Sequence, residues 1–465
     1  MKTAIVVGGG LAGIAAALAL AKQGVKVQLV EARRRLGGRT GSFTQLDSNQ
    51  AIDYCQHVGM GCCTNLRQLI DWLGQRQHWE THRSLHFYGP DGNYRRLASL
   101  PLLPAPLHLA GWLWRWPGLT MADRFAVARG MLAIRKLVIC SETDSRPAQP
   151  WLVAQHQTPA AIDHFWRTII VSALGEELTH VNLSSVAKVL HDGFLTHRDA
   201  FHLLVPKRPL GELFGSMAEQ KLSEHGVNVQ LKTRVLRLVQ HFESGFSIET
   251  DNTGTLKADA IIIAVPWFRI GGLVESTGYT PLMNIAHDAG QMNSSPISGV
   301  HTWWDRPWLS TPHAAIIGRL CQWVFPKHDN DAAANVSGDE HYYQIVVSAS
   351  RQIPRGDSAE LMRLVQQDLA AVFPKVREAQ LLRMQVVTDP LAVFSVGVNC
   401  SELRPKTYVP GTNVWLAGDW TKTGWPATME GAILSGWTAS ESILASWGTP
   451  IRVCARPLSD HQTLP

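Results

Sequence analysis

The first 31 residues predict a strand, a tight turn, a helix and a second strand. Residues 3–7 form a short apolar run of the kind that becomes a buried strand. After a glycine-rich break, leucine and isoleucine recur at helical spacing among alanines until Gly24, which ends the helix. Apolar and polar side chains alternate over residues 25–30, which indicates a second strand, and Glu31 follows directly after it. A parallel βαβ unit is therefore expected at the start of the fold.

The same stretch also resembles a membrane span, because residues 4–21 contain no charged side chain. Four glycines within residues 8–13 fit neither a transmembrane helix nor a signal peptide. No other part of the sequence is apolar over enough residues to cross a bilayer. The seven cysteines are scattered without a C-x-x-C pair, which favours free thiols in a reducing compartment. We expect a cytoplasmic protein that is soluble or peripheral on the cytoplasmic face of the membrane.

The spacing Gly8-x-Gly10-x-x-Gly13 indicates what this unit binds. The first glycine permits the tight turn, the second lets a pyrophosphate approach the backbone, and the third lets the helix pack closely on the strand. The helix N-terminus presents free amides and partial positive charge to the phosphates. Glu31 lies 18 residues after Gly13, where a carboxylate takes the ribose hydroxyls of adenosine. We predict a dinucleotide site; the alternative is a structural βαβ unit without a ligand.

Later segments predict further strands and a helix that accompany this βαβ unit. Residues 226–235 predict a strand pair, and residues 259–266 and 414–419 predict buried strands. Residues 426–445 predict a helix with a proline at its start. The intervening sequence predicts strands at 298–304, 314–324 and 342–349, a polar loop at 329–340 and an amphipathic helix at 358–373.

These elements divide the chain into two intertwined domains and a tail. The expected division is a discontinuous cofactor-binding domain at 1–75, 205–270 and 385–446, a substrate-binding domain at 76–204 and 271–384, and a loose C-terminal tail at 447–465. An apolar share of 45% and a charged share of 17% exclude a disordered chain. The net charge is only +5, without a concentrated basic stripe, so we expect no nucleic-acid partner. No metal site is predicted.

The residues from Glu31 to Arg39, Glu-Ala-Arg-Arg-Arg-Leu-Gly-Gly-Arg, resemble the glycine-pair extension of flavin oxidoreductases in the amine oxidase and phytoene desaturase superfamily. The resemblance implies FAD as the cofactor and an α/β fold. It further implies a Rossmann-like FAD-binding domain of the GR2 type with an interleaved α+β substrate domain. In this extension, Gly37 and Gly38 expose amides, and Arg39 can fork onto phosphate oxygens. Arg33 is expected to contact the cofactor, with a solvated turn as the alternative.

The same resemblance extends to later parts of the chain. It implies that Asp419 holds the ribityl chain or the pyrophosphate, with a helix or turn cap as the alternative. Amides near Met429 and Glu430 are implied to face the flavin pyrimidine, where negative charge develops on reduction; for Glu430 the alternative is a cap. The backbone at Val235 is implied to bind adenine. The residues expected to contact the cofactor are Gly8, Gly10, Leu11, Ala12, Gly13, Glu31, Ala32, Arg33, Gly37, Gly38, Arg39, Val235, Gly418, Asp419, Met429 and Glu430.

The dipeptide Gln56-His57, followed by Gly61-Cys62 and a predicted helix at 65–73, resembles the hydroxysqualene dehydroxylases, a branch of the phytoene desaturase group. The other segments that resemble this branch are Phe165-Trp166, Ala173-Leu174, 186–190, 203–206, Leu213-Phe214 and 417–432. The resemblance covers almost the whole chain. The sequence departs from the branch at Cys55, where a glycine is usual, and at 388–394.

This resemblance implies an FAD enzyme that reduces hydroxysqualene, a C30 isoprenoid, to squalene in hopanoid or squalene biosynthesis. His57 would be the proton donor to the leaving hydroxyl, and Gln56 would orient the hydroxyl or the flavin; a histidine in such a position is otherwise structural. The electron donor is not identified. The alternatives are a carotenoid-type desaturase or isomerase, a flavin amine oxidase, and a flavin-binding scaffold without catalysis.

Residues around Trp112, Trp114 and Trp116 combine three tryptophans with leucines and a single arginine. A packed helical hairpin explains this pattern. The alternative is an interfacial surface, where tryptophan lies at the headgroup level and an apolar isoprenoid enters from the bilayer. We therefore expect peripheral membrane contact near these tryptophans.

Overall fold

The computed structural model describes residues 1–44, 51–100, 102–241, 245–327, 340–353 and 358–458. Its strands are β1 (Thr3–Val7), β2 (Lys26–Val30), β3 (Ser42–Thr44), β4 (Ala51–Asp53), β5 (Gly59–Met60), β6 (Trp79–His82), β7 (Ser84–Tyr88), β8 (Tyr94–Ala98), β9 (Leu203–Pro206), β10 (Asn228–Gln230), β11 (Val235–His241), β12 (Gly245–Thr250), β13 (Thr255–Leu256), β14 (Ala260–Ile263), β15 (Ser294–Trp304), β16 (Ala314–Ile316), β17 (Trp323–Lys327), β18 (His341–Ser348), β19 (Leu381–Phe394) and β20 (Val414–Leu416).

Its α-helices are α1 (Leu11–Ala21), α2 (Thr64–Trp72), α3 (Ala110–Arg115), α4 (Met121–Arg135), α5 (Ser141–Asp144), α6 (Ala148–Ala154), α7 (Pro159–Ala161), α8 (Arg167–Leu174), α9 (Leu183–Leu190), α10 (Met217–Glu224), α11 (Trp267–Val274), α12 (Thr280–Gln291), α13 (Ser358–Val372), α14 (Cys400–Leu403) and α15 (Met429–Ser446). The predicted polar loop at 329–340 lies outside the described residues except for its last residue.

A five-stranded parallel sheet with the order β10-β2-β1-β14-β20 forms the first layer. Strand β14 is wholly buried, and β1 nearly so, as expected for strands covered on both faces. Because the strands are parallel, Val7, Val30, Ile263 and Leu416 end at one edge of the sheet. The predicted strand–helix–strand start and the two later buried strands are confirmed.

Helix α1 covers this sheet and packs against α15. Every residue of α1 except Ala21 is buried, which explains why the uncharged stretch at 4–21 is a core element. The two helices approach so closely that a Cβ atom on Gly436 would lie 2.2 Å from the carbonyl oxygen of Ala12. The hydroxyl of Ser440 donates to the carbonyl of Ala16 at 3.2 Å across the same contact. The C-terminal helix is therefore built onto the N-terminal one.

A seven-stranded mixed sheet with the order β19-β15-β18-β17-β16-β7-β8 forms the second layer, and α13 packs on one face of it. The predicted strands and the predicted helix at 358–373 are confirmed. The run at 314–324 is an exception, because a turn with Gly318 at φ +68° divides it between β16 and β17. The predicted domain boundary at 385 falls inside β19, which pairs with β15 from Leu381 to Phe394.

The fold class is confirmed: a Rossmann-like α/β layer with an interleaved α+β region. The predicted loose tail requires a correction, because its first part is fixed to the cofactor layer. The amides of Val453 and Cys454 donate to Glu441 Oε1 at 2.5 and 2.7 Å. The amide of Ala455 donates to Asn65 Oδ1 at 2.9 Å. Residues 459–465 lie outside the described part of the chain.

The tryptophans expected at a membrane have different environments. Trp112 is 5% exposed and packs on Phe201, and Trp116 is fully buried against Phe165. These two side chains are core residues, so the expectation of lipid contact is wrong for them. Trp114 is 52% exposed. Within the described residues, no helix combines the length and the hydropathy needed to cross a bilayer.

Candidate active site

The glycine turn after β1 is built by close backbone contacts. Gly8 has φ +108° and donates its amide to Val30 at 2.8 Å; a Cβ atom there would lie 2.7 Å from the carbonyl oxygen of Ala264. A Cβ atom on Gly13 would lie 1.9 Å from the carbonyl oxygen of Gly8. At Gly10, in contrast, a Cβ atom would meet nothing within 4 Å. Two glycines thus serve packing, and the third leaves space for a ligand above the turn.

The N-terminus of α1 has the properties of an anion site. Its N-cap is Gly10, which has no side chain to bond the first amides, and its first turn contains no acidic residue. The amides of Leu11, Ala12 and Gly13 and the positive end of the helix dipole therefore face the position where a pyrophosphate would bind.

Glu31 directly follows the last residue of β2, at the same edge of the sheet. Its carboxylate accepts the amides of Gly9 at 2.6 Å and of Arg33 at 2.7 Å, which hold it beside the glycine turn. The carbonyl of Glu31 accepts the amide of Thr233 at 2.9 Å, two residues before Val235. Val235 is buried at the start of β11. The structure thus brings together Glu31 and Val235, the residues expected to bind the ribose and the adenine. Ala32 and the exposed Arg33 follow Glu31 in the chain.

The glycine pair crosses over this turn. The amide of Gly37 donates to the carbonyl of Gly9 at 2.8 Å, and a Cβ atom on Gly38 would lie 3.1 Å from the Cα of Gly10. Both glycines have positive φ angles, 96° and 58°. The extension 37–38 is therefore a second glycine cradle above the first.

Arg39 joins the two ends of the chain. Its Nη2 donates to Asp419 Oδ1 at 2.5 Å, and its Nη1 donates to the carbonyl of Ala392 at 2.9 Å. The sequence predicted that the guanidinium of Arg39 binds phosphate oxygens. In the structure it pairs with the carboxylate of Asp419 instead. The side chain of Asp419 is only 4% exposed, and a carboxylate so buried needs a cation.

The segment that holds Asp419 follows β20. Gly418 has φ +144°, and its amide donates to Ser435 Oγ at 2.7 Å on α15. The indole of Trp420 donates to the carbonyl of Val265 at 2.9 Å, which fixes the end of β20 to the end of β14. These bonds place Gly418 and Asp419 at the edge that carries the glycine turn.

Glu430 lies in the first turn of α15, next to Met429. Its carboxylate accepts the amides of Asn65 at 3.0 Å and Leu66 at 2.8 Å and the side-chain amide of Asn65 at 2.6 Å. Burial raises the pKa of Glu430 to about 7, against the effect of these hydrogen bonds. The side chain of Glu430 therefore caps α2, and only its backbone amide remains for the expected contact with the flavin.

Gln56 and His57 lie against the large sheet. A Cβ atom on Gly299 of β15 would lie 2.4 Å from the carbonyl oxygen of Tyr54, so this segment packs directly on the strand. His57 Nδ1 donates to the carbonyl of Cys55 at 2.9 Å, which leaves Nε2 as an acceptor. Burial lowers the pKa of His57, and the nearby Arg39 lowers it further, although Asp53 opposes both effects. The neutral imidazole is favoured.

Two further residues of the site were not singled out by the sequence. Arg404 Nη2 donates to the carbonyls of Asp419 at 2.9 Å and Thr421 at 2.6 Å and thereby holds the Asp419 segment. Asp53 is buried beside His57, accepts Ser42 Oγ and the Leu210 amide, and has a pKa raised by burial. The only sequence signal for Asp53 was its position as an acidic residue three residues before Gln56, and no sequence signal indicated Arg404.

This arrangement fits FAD. One edge of a parallel sheet carries a glycine turn open at Gly10, an uncapped helix N-terminus, the carboxylate of Glu31 and the Arg39–Asp419 pair. Such an edge is typical of a dinucleotide-binding protein.

The comparison with protein families agrees and is more specific. The model of the flavin-containing amine oxidoreductase family matches residues 11–444, and the chain belongs to this family. The protein is an FAD-dependent oxidoreductase.

Individual relatives are distant but cover the chain. It is 25% identical to a 15-cis-phytoene desaturase of an Oncidium hybrid cultivar, over 95% of this chain and 78% of that protein. It is 23% identical to the hydroxysqualene dehydroxylase of Zymomonas mobilis, over 96% of this chain and 100% of that protein. A solved structure of an oxidoreductase from Methanosarcina mazei shares the fold with a TM-score of 0.72 and 16% identity, over 94% of this chain and 100% of that one.

Proposed function

We propose that this oxidoreductase acts on an apolar C30 isoprenoid and reduces hydroxysqualene to squalene. The support from relatives is the hydroxysqualene dehydroxylase of Zymomonas mobilis, which matches over its full length. The sequence adds the Gln56-His57 pair and the segment 417–432, which resemble that branch.

The observation that carries the proposal is the side chain of Gln56. It is 6% exposed, and its Nε2 donates to the carbonyl of His57 at 3.0 Å. Its Oε1 is buried and accepts no hydrogen bond from the described residues. A buried acceptor without a donor costs about 1–3 kcal/mol. A substrate hydroxyl would satisfy this oxygen, whereas a pure hydrocarbon would leave it unpaired.

Bound FAD supplies two-electron transfer to the carbon that loses its oxygen. The residues that would hold it are those of the two glycine cradles, Glu31, and the Arg39–Asp419 pair. Loss of hydroxide also needs a proton. The role of His57 as its donor stays a prediction, and the lowered pKa of His57 weighs against a protonated imidazole at neutral pH. The raised pKa of Asp53 makes its carboxyl, beside His57, a second candidate for the proton source.

The test is a single-turnover reaction. The flavin is reduced without oxygen, hydroxysqualene is added, and the products are analysed by mass spectrometry while the absorbance of the oxidised flavin is followed. We expect squalene to form in step with flavin reoxidation. The variant Gln56→Leu should retain FAD and lose turnover, and His57→Ala should retain FAD and slow it. Reduced protein that leaves hydroxysqualene unchanged would refute the proposal.

A second candidate is dehydrogenation of a carotenoid precursor, and the observation in its favour is the match to a 15-cis-phytoene desaturase at 25% identity, against 23% for the hydroxysqualene dehydroxylase. Hydride would then move from the hydrocarbon to the oxidised cofactor. Oxidised protein incubated with phytoene distinguishes the two, since new conjugated double bonds absorb in the visible range.

A further inference from the structure

Arg35 differs from its two neighbours in the arginine run at 33–35. The other two arginines are exposed, whereas Arg35 is half-buried. Its Nη1 donates to the carbonyl of Leu36 at 3.3 Å, and its Nη2 donates to the hydroxyl of Tyr54 at 3.1 Å. The guanidinium also lies 5.6 Å from the centre of the Tyr54 ring, within range of a cation–π contact. Arg35 therefore holds Tyr54 by its hydroxyl and by its ring.

Gly41 provides the space that this guanidinium occupies. A Cβ atom on Gly41 would lie 2.1 Å from Nη1 and 2.2 Å from Nη2 of Arg35. The φ angle of Gly41 is not in the left-handed region, so the backbone conformation itself does not require a glycine there. The carbonyl of Gly41 also accepts the amide of Tyr54 at 3.2 Å. The residue that makes room for the guanidinium thus holds the backbone of Tyr54 as well.

Tyr54 connects this contact to the large sheet. Phe43 of β3 stacks on the Tyr54 ring, with centroids 5.9 Å apart, and meets the ring of His301 on β15 edge to face at 5.6 Å. The carbonyl oxygen of Tyr54 lies against Gly299 of the same strand. Tyr54 therefore contacts the glycine-pair extension through Arg35 and β15 through its own backbone.

Gln56 and His57 follow Tyr54 within three residues, and their side chains bond the segment itself. His57 Nδ1 donates to the carbonyl of Cys55 at 2.9 Å, and Gln56 Nε2 donates to the carbonyl of His57 at 3.0 Å. These bonds fix the two side chains relative to their own backbone. The placement of that backbone, which begins at Tyr54, therefore decides where both side chains lie.

We propose that Arg35 is a positioning residue, which holds Tyr54 and thereby sets where Gln56 and His57 lie relative to the glycine cradles. We call this contact the Arg35–Tyr54 clamp. Arg35 belongs to the same extension as the glycine pair, so the clamp joins residues expected to hold FAD to residues expected to meet the substrate. Its effect on catalysis rests on the proposed function, in which Gln56 and His57 act on the substrate. A displacement of about 1 Å at such groups can lower a rate about 100-fold.

The first test is hydrogen exchange of the FAD-loaded protein, measured by mass spectrometry in peptides that cover residues 52–60. Arg35→Ala should raise exchange there about tenfold, because a hydrogen bond from a charged donor contributes a factor of about ten or more. Gly41→Ala should do the same, since its methyl group displaces the guanidinium while Arg35 and Tyr54 both remain. The matched control is Arg34→Ala, which removes an exposed arginine of the same run. It should exchange as the unmodified protein does, and the buried β14 should exchange alike in every variant.

The second test is single turnover of the reduced protein with hydroxysqualene at a saturating concentration. Arg35→Ala and Gly41→Ala should keep FAD at normal stoichiometry and slow flavin reoxidation about tenfold to 100-fold, and Arg35→Lys should recover part of the rate. The clamp is refuted if exchange at 52–60 matches the Arg34→Ala control in both variants, or if exchange rises while the rate is unaltered. Loss of FAD with unaltered exchange would also refute it and would assign Arg35 to cofactor binding. If the unmodified protein leaves hydroxysqualene unchanged, the proposed function fails, and the exchange result alone decides the clamp.

Discussion

Removal of the guanidinium of Arg39 is expected to leave the buried carboxylate of Asp419 without its hydrogen-bonded ion-pair partner. Arg39 Nη2 lies 2.5 Å from Asp419 Oδ1, and the two side chains are 29% and 4% exposed. Breaking a fully buried ion pair on one side costs about 3–5 kcal/mol, and the partial exposure of Arg39 reduces this to about 2–3 kcal/mol. We therefore expect Arg39→Ala to lower the free energy of unfolding by about that amount.

The assay is urea unfolding of the apoprotein, so that bound cofactor cannot replace the lost contacts. Arg39→Ala, Asp419→Asn and the double variant form a cycle in which the pair contributes a coupling energy of about 1.5–3 kcal/mol. Arg33→Ala, which removes an exposed arginine of the same segment, should change stability by less than about 0.5 kcal/mol. Additive single effects in the cycle would show that the pair does not stabilise the fold.

Three further predictions follow from the same contacts. Gly13→Ala should abolish FAD binding and soluble expression, since its Cβ would lie 1.9 Å from the Gly8 carbonyl oxygen; FAD retained at normal stoichiometry would contradict this. Glu430→Ala should lower the free energy of unfolding by about 2–4 kcal/mol, because two buried amides and the Asn65 side chain lose their acceptor; Glu430→Gln, which keeps one acceptor, should lower it less. Burial lowers the pKa of His301 to about 4 and of His313 to about 3, so the unfolded chain takes up protons first as pH falls below about 6.5. Each histidine should therefore lower stability by about 2 kcal/mol between pH 7 and 5, whereas Glu430, whose pKa is raised to about 7, acts in the opposite direction. Relative to the unmodified protein, His301→Gln should remove about 2 kcal/mol of this fall, and a variant whose urea midpoints follow the same pH profile as the unmodified protein would refute the assignment.

The cofactor layer was predictable because its signals are local. Gly8, Gly10, Gly13 and Glu31 lie within one βαβ unit, where spacing alone dictates the turn, the close packing and the position of the carboxylate. The extension with Gly37 and Gly38 was found through family resemblance, and its crossing over the first turn explains why both residues are glycine.

The remaining contacts depend on tertiary packing that no local pattern encodes. Asp419 is paired with Arg39, 380 residues away, and the cap that Glu430 provides to α2 spans a similar distance. The tryptophans near residue 114 are another example. Their composition indicated a segment that faces lipid, but Trp112 and Trp116 are buried in the core. The most exposed apolar residues of this region are leucines, a valine and a phenylalanine, which no sequence signal distinguished.

The joining of the two chain ends has a consequence for biosynthesis. Helix α1 is almost wholly apolar, and α15, which covers it, is among the last elements to leave the ribosome. At about 5–20 residues per second, the 380 residues between Arg39 and Asp419 take roughly 20–80 s to synthesise. During that interval the apolar surface of α1 that α15 later covers is exposed, so we expect chaperones to bind the nascent chain. Because Asp419 has not yet been synthesised, we expect FAD to bind only after synthesis is complete.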